Sequence, residues 1–171
     1  LLFIDEIIKL DNYRGNDKKK TVQRFYYQEA LRTLYTAINF LNADSRLKIL
    51  HIVSSIPSEG KTFINILFAK TLCELDKKVL LIDSDLRKPQ IHKRLGENNI
   101  RGLSNYLADS SMEIKEIIQK SKKINNLDVI TAGTTPPNPT RLLDSSKMKS
   151  TIEDLKRLNY DLILIDTPPL L

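Results

Sequence analysis

Four uninterrupted apolar runs constrain this chain more than any other feature. They lie within LKILHIVSS (47–55), KVLLIDSD (78–85), NLDVITAG (126–133) and YDLILIDTPP (160–169). A strand with one wet face alternates apolar and polar residues, so runs without alternation predict strands covered on both faces. Between them, apolar residues recur at helical spacing. Phe25, Leu31, Leu34, Ile38 and Leu41 predict a helix over 22–42, and further helices are predicted over 61–76, 89–95, 111–121 and 141–158. RGLSNYL (101–107) reads as loop and turn. TTPPNPT (134–140) reads as irregular, because its prolines lack N–H donors. Strands alternating with helices predict the α/β class, with a mostly parallel sheet and helices on both faces. Right-handed crossovers then bring the C-terminal ends of the strands to one edge, where ligands bind in open sheets of this kind.

The remaining composition narrows the field. A chain of 171 residues suits one domain with a real core. The net charge of +6 is spread over short runs at DKKK (17–20), RKPQIHKR (87–94) and KSKK (120–123), each of which reads as a solvated face. No aromatic-interleaved motif accompanies them, so no nucleic-acid partner is expected. The single cysteine, Cys73, falls in a helical pattern and reads as a small buried hydrophobe. Neither His51 nor His92 has a metal-ligand partner at useful spacing. No apolar run approaches the roughly 18 residues of a membrane span. LLFIDEIIKL (1–10) has acidic residues inside its apolar stretch and no basic flank, unlike a signal peptide. Residues 1–21 are expected to be an N-terminal segment and linker, and 22–171 one domain. A first residue Leu1 and an end at DTPPLL suggest a piece of a longer protein, truncated at its C-terminus.

The chemistry concentrates after the first run. SSIPSEGKT (54–62) lies between a buried strand and a helix and ends in Gly-Lys-Thr, the close of a phosphate-binding loop. Ser55 stands where the pattern has its first Gly. In such a loop successive backbone N–H groups converge on an anion, and the helix N-terminus adds its dipole. Residues Ser55, Pro57, Ser58, Glu59, Gly60, Lys61, Thr62 and Phe63 are therefore the candidate nucleotide cradle. Lys61 is expected to reach the β- and γ-phosphates, and Thr62 to hold Mg²⁺. Asp83 and Asp85 follow VLLI and Asp166 follows LILI, each just past a strand end. Such aspartates can cap the next helix, as Asp85 could for 86–95. Three on one edge beside the loop suggest metal-assisted phosphoryl transfer, with Lys61, Asp83, Asp85 and Asp166 as candidate catalytic residues and Thr62, Asp83 and Asp166 as candidate metal residues.

Together these segments resemble the cytoplasmic domain of bacterial tyrosine kinases, the autokinases of capsular and exopolysaccharide assembly. SSIPSEGKT is similar to that family's Walker A loop, and VLLIDSDLRKPQIH (79–92) to its Walker A′ motif. GLSNYL (102–107) resembles its Gly-Leu-Ser segment, AGTTPPNPTRLL (132–143) its Pro-Pro-Asn-Pro segment, and YDLILIDTPP its Walker B. The resemblance covers roughly residues 22–171 and implies a P-loop fold using ATP and Mg²⁺. It implies that Asp83 meets the acceptor hydroxyl and the metal's water shell, with Asp85 as its partner and Asp166 as the Walker B aspartate. It further implies transfer to tyrosines of neighbouring subunits, a transmembrane polysaccharide co-polymerase domain in cis or trans, and a place on the cytoplasmic face of the bacterial plasma membrane.

The chain also departs from that pattern. The family's first helix carries Glu-x-x-Arg-x-x-Arg, which helps assemble a ring, whereas EALRTLY supplies Glu29, Arg32 and then Tyr35. Glu29 and Arg32 are either an intrahelical pair or a self-association contact. Arg141 stands where the family usually has Glu, and the chain stops after Walker B. A chain ending there is expected to transfer phosphate poorly by itself, with residues 160–166 at an open sheet edge. Two alternatives remain: a septum-site or plasmid-partition type ATPase, and a non-catalytic, nucleotide-gated assembly module. The former usually carries a second lysine early in the loop, and residues 55–59 contain none.

Overall fold

A computed structural model describes residues 18–41 and 47–170. The chain forms two units, Leu1–Arg46 and Leu47–Leu171. In the first, α1 (Lys18–Leu41) carries Glu29 and Arg32 as an i,i+3 ion pair at 3.6 Å, so the intrahelical contact forms. The helix begins inside the stretch expected to be linker, and residues 1–17 lie outside the described residues.

The second unit runs β1 (Ile49–Ile52), α2 (Lys61–Glu74), β2 (Val79–Asp83), α3 (Ile91–Leu95), α4 (Leu103–Ala108), a 3-10 turn (Ile114–Ile117), β3 (Gln119–Lys120), β4 (Leu127–Ile130), α5 (Pro139–Leu143), α6 (Ser146–Arg157) and β5 (Leu162–Asp166). The sheet order is β1-β5-β2-β4-β3. The first four of these strands are parallel and β3 runs antiparallel to β4. Every residue of β2 and β5 is buried, as the uninterrupted apolar runs require.

One face of the sheet presents Leu80, Ile82, Ile130, Ile163 and Ile165 to Leu103, Tyr106, Leu107, Ile117 and Leu155 from α4, the 3-10 turn and α6. Alternation puts Val79, Leu81, Leu162 and Leu164 on the opposite face. There α2 packs against β2 and β5 and buries Phe68, Ala69 and Leu72. Helices thus cover both faces.

Four expectations are corrected. Residues 160–166 do not form an edge: β5 sits between β1 and β2, and β1 and β3 are the edges among the described residues. The cause lies in composition, since LILI has no polar residue to face water, whereas β1 exposes His51. The helix expected over 111–121 is a single 3-10 turn followed by β3, because pairing of Gln119 and Lys120 with Val129 and Asp128 outcompetes a short helix. GLSNYL is not a loop but carries α4. The helix expected over 141–158 is two, with Pro139 in the first turn of α5, where a proline has no N–H to lose.

The start of α4 is pinned to the end of β4. Leu103 and Ser104 donate to the carbonyls of Thr131 and Ala132 at 2.8 and 2.9 Å. The approach is so close that a Cβ on Gly102 would lie 2.3 Å from the Thr131 carbonyl oxygen and 2.4 Å from the Gly133 nitrogen. Retreat of either atom would strain the bond from Leu103 to the Thr131 carbonyl or that from the Gly133 N–H to Asn99. Gly102→Ala is expected to destabilise the protein by about 3 kcal/mol, the upper range for overpacking. Urea unfolding of the full-length protein checks this, and a loss below about 1 kcal/mol would contradict the packing assigned to that turn.

Candidate active site

Register brings the aspartates together. Asp83 pairs with Asp166 across β2 and β5, and Ile52 lies opposite Asp166 on β1. Three strand ends therefore meet where residues 53–60 lead into α2. The loop turns through two left-handed residues, Ser58 (φ 68) and Gly60 (φ 83). A serine tolerates that conformation at a cost of about 1 kcal/mol. Gly60 is the N-cap of α2 and offers no side chain to the first turn, which leaves that turn without a side-chain cap, as an anion site needs.

The loop's entry does not depend on a glycine. One carboxylate oxygen of Glu59 accepts the Ser55 N–H at 2.9 Å and the Ile56 N–H at 3.2 Å. The carboxylate of Glu59 thus turns back onto the start of its own loop. Ser55, Pro57, Ser58 and Glu59 are exposed, Gly60 is half-buried and Phe63 is buried. The Phe63 ring lies 5.9 Å from the Arg94 guanidinium.

At the head of α2, side chains converge on Asp166, which is 1% exposed. Lys61 Nζ lies 3.0 Å from Oδ1, Thr62 Oγ1 donates to Oδ2 at 2.6 Å, and Asn65 Nδ2 donates to Oδ1 at 3.0 Å. Spacings of three and four put Asn65 on the same helical arc as Thr62 and Lys61. The Lys61 side chain is 8% exposed, so in this structure it lies against the sheet edge rather than in solvent. The backbone carbonyl of Asp166 accepts the N–H and the hydroxyl of Ser84, tying the edge of β2 to β5.

Asp83 is fully buried. Its carboxylate accepts the N–H groups of Asp85, Gln90 and Ile91 at 3.1–3.2 Å. The start of α3 is thus served by Asp83. Asp85, the residue expected to serve 86–95, instead closes a turn by accepting from Arg87 and Lys88 at 3.3 and 3.0 Å. Burial raises the Asp83 carboxyl to about 7; the Ile91 N–H opposes the shift, and the charges of Asp166 and Asp85 add to it. Arg87 reaches across to donate to Thr140 Oγ1 at 3.0 Å, linking this loop to the proline-rich one. Arg141 donates its backbone N–H to Asn138, the N-cap of α5.

The edge therefore unites Lys61, Thr62, Asp83, Asp85 and Asp166. Their hydroxyl and carboxylate oxygens are hard donors that suit Mg²⁺, which usually completes its shell with phosphates and waters. Among the described residues no group of three or more His, Cys, Asp or Glu could hold a metal alone, so phosphate oxygens would have to share the task.

A family model described as an AAA domain matches residues 47–171. Tyrosine-protein kinase Etk of Escherichia coli K12 is 40% identical over 143 residues, covering 84% of this chain and 19% of Etk. Putative tyrosine-protein kinase CapB of Staphylococcus aureus is 36% identical over 161 residues, covering 90% of this chain and 69% of CapB. The chain belongs to the bacterial tyrosine-protein kinase family. The solved kinase domain of the E. coli tyrosine kinase Etk superposes with a TM-score of 0.77 at 39% identity, covering 84% of this chain and 55% of that one. The septum site-determining protein MinD from Pyrococcus horikoshii, solved with Mg-ADP, gives 0.62 at 28% identity, covering 73% and 50%. The P-loop NTPase class expected from the loop and strand ends is thereby established. This family member spans about a fifth of Etk and about two-thirds of CapB.

Two residues at this edge escaped the sequence reading. Asn65 had a signal in its spacing from Lys61 and Thr62, obscured by the apolar residues around it. Thr140, the partner of Arg87, had none, since 53 positions separate them. Cys73 is buried as expected, and burial pushes its thiol to about 12.

The raised Asp83 carboxyl has a consequence for stability. With a folded value near 7 against an ordinary 3.8, the folded protein binds this proton more tightly than the unfolded chain does. Asp83 therefore lowers stability as pH rises between about 4 and 7, and its cost is complete above that window. Asp83→Asn removes this component. The ligand-free variant is expected to lose less stability between pH 5 and pH 8 than the wild type. Urea unfolding at both values checks this, and identical pH slopes would contradict the assignment.

Proposed function

We propose that this chain is the phosphate-binding and catalytic part of an ATP-dependent protein-tyrosine autokinase that regulates capsular or exopolysaccharide polymerisation and export, with 22–171 as its kinase domain. The observation that carries the reading is the convergence of Lys61 and Thr62 on Asp166, with Asp83 beside Asp166 in register. Membership of the tyrosine-protein kinase family supports it.

Lys61 holds the β- and γ-phosphates, and Thr62, Asp83 and Asp166 hold Mg²⁺ or its waters. Bound Mg²⁺ would neutralise charge building on the transferring group. Ser55, Pro57, Ser58, Glu59, Gly60 and Phe63 shape the loop around the nucleotide. The acceptor tyrosine's oxygen attacks the γ-phosphorus, its proton passes to the Asp83 carboxylate, and the bond to the β–γ bridging oxygen breaks to release ADP. In the metal-free site burial raises this carboxyl to about 7, and bound Mg²⁺ would favour the carboxylate that accepts the proton. Asp85, whose charge helps raise it, orders the loop beside it.

Acceptors come from outside the core. Tyr27, Tyr106 and Tyr160 are buried and cannot reach a neighbour's site. Glu29 and Arg32 are proposed to contact a neighbouring subunit, and a transmembrane co-polymerase domain in cis or trans to hold the assembly at the cytoplasmic face of the plasma membrane. No described helix is long and apolar enough to cross a membrane.

Two substitutions test the reading in the full-length protein. Lys61→Ala is expected to abolish ATP·Mg²⁺ binding in calorimetry, and unchanged affinity would remove the phosphate-loop assignment. Asp83→Asn is expected to bind nucleotide but to lower transfer at least about a hundredfold, the usual loss for a general base. Anti-phosphotyrosine detection with and without ATP reads this. Undiminished phosphotyrosine would leave Asp83 only its bonds to α3. ATP binding and hydrolysis with no phosphotyrosine would favour the partition-type ATPase.

A further inference from the structure

Asn65 is an oddity of α2. It is fully buried between residues such as Phe63, Ile66, Leu67 and Phe68, where an apolar side chain would pack without cost. Its Nδ2 donates to Asp166 Oδ1 at 3.0 Å, and its own Oδ1 has no partner. The orientation is fixed, because a flipped amide would set oxygen against carboxylate oxygen. A buried, half-satisfied amide is a poor structural choice. Its retention points to a task at Asp166.

We propose that Asn65 is the positioning residue of Asp166, holding that carboxylate in place while Lys61 and Thr62 engage the nucleotide and its metal. The inference rests on the phosphate-loop reading above. In that reading Lys61 turns to the phosphates and Thr62 to Mg²⁺, so two of the three side-chain donors on Asp166 leave it. Asn65 has no such second ligand, and it lies on the helical arc that faces the strand end. With its amide in place, Asp166 Oδ1 stays anchored, and Oδ2 is left to face the metal's shell. Without it the carboxylate is free to rotate just when its direction matters. Partners that orient a metal site's ligands are typically worth ten- to a hundredfold in metal affinity.

The test is ADP binding to the full-length protein by calorimetry, with Mg²⁺ and with EDTA, for wild type, Asn65→Leu and Asn65→Ala. Leu matches the branching of Asn and suits the apolar surroundings, and Ala guards against misfit of the larger side chain. In the wild type Mg²⁺ is expected to strengthen ADP binding. In both variants ADP affinity in EDTA is expected to stay within about threefold of wild type, while the strengthening by Mg²⁺ falls at least about tenfold. A purely structural role would lower the unfolding midpoint and leave the Mg²⁺ effect intact, and that result overturns the proposal. A wild type that binds no ADP under either condition overturns the phosphate-loop reading itself, a different failure from an unaltered Mg²⁺ effect in the variants.

Discussion

The site depends on one buried carboxylate. Asp166 ends the interior strand β5, almost without solvent, and an ion buried there costs several kcal/mol unless it is paired and hydrogen-bonded. The chain meets that cost with Lys61, Thr62 and Asn65 from the head of α2, and it uses the Asp166 backbone carbonyl to hold Ser84 of the neighbouring strand. Sheet, loop and helix are thereby joined at one residue. Removing one partner of a buried ion pair typically costs about 3–5 kcal/mol, because a charge is left uncompensated. Lys61 therefore leaves Asp166 readily only if another cation takes its place. In the proposed reading a nucleotide arriving with Mg²⁺ would bring both the anion that draws Lys61 away and the charge that replaces it, and this would couple the two ligands.

Asp83 complements this arrangement. It is buried beside Asp166, and among the described residues its carboxylate is hydrogen-bonded by three backbone N–H groups and by no cation. That imbalance is why its carboxyl rises to about 7 while it still orders the start of α3. Two adjacent aspartates are thus divided by environment, one matched by an ammonium and one held by backbone N–H groups with its carboxyl raised.

Much of this was legible in the sequence, for physical reasons. VLLI and LILI have no polar residue to show to water, so burial on both faces and a parallel sheet followed directly. SEGKT after a strand marked the loop, and three aspartates after apolar runs marked the edge. What failed was decided by contacts between distant residues. The strand order that puts β5 inside the sheet rests on pairing across 83 and 114 positions, Asp83 with Asp166 and Ile49 with Ile163. The weak strand at Gln119–Lys120 depends on pairing with β4 and on the bond from the Gln119 amide to the Asn98 carbonyl. The α4 helix, read as a loop, depends on a glycine that lets it dock on Thr131 and Ala132. Glu59 was placed in the cradle by position alone. Its bonds to Ser55 and Ile56 explain how a serine can open the loop.

The central claim is that the Lys61–Asp166 pair is a resting contact exchanged for nucleotide and metal. A crystal structure of the full-length protein with a non-hydrolysable ATP analogue and Mg²⁺ tests it most directly. The account predicts Lys61 Nζ moved from its 3.0 Å contact with Asp166 onto phosphate oxygens, with the Asn65–Asp166 bond kept. Phosphates seated in the loop while Lys61 stays on Asp166 would contradict it.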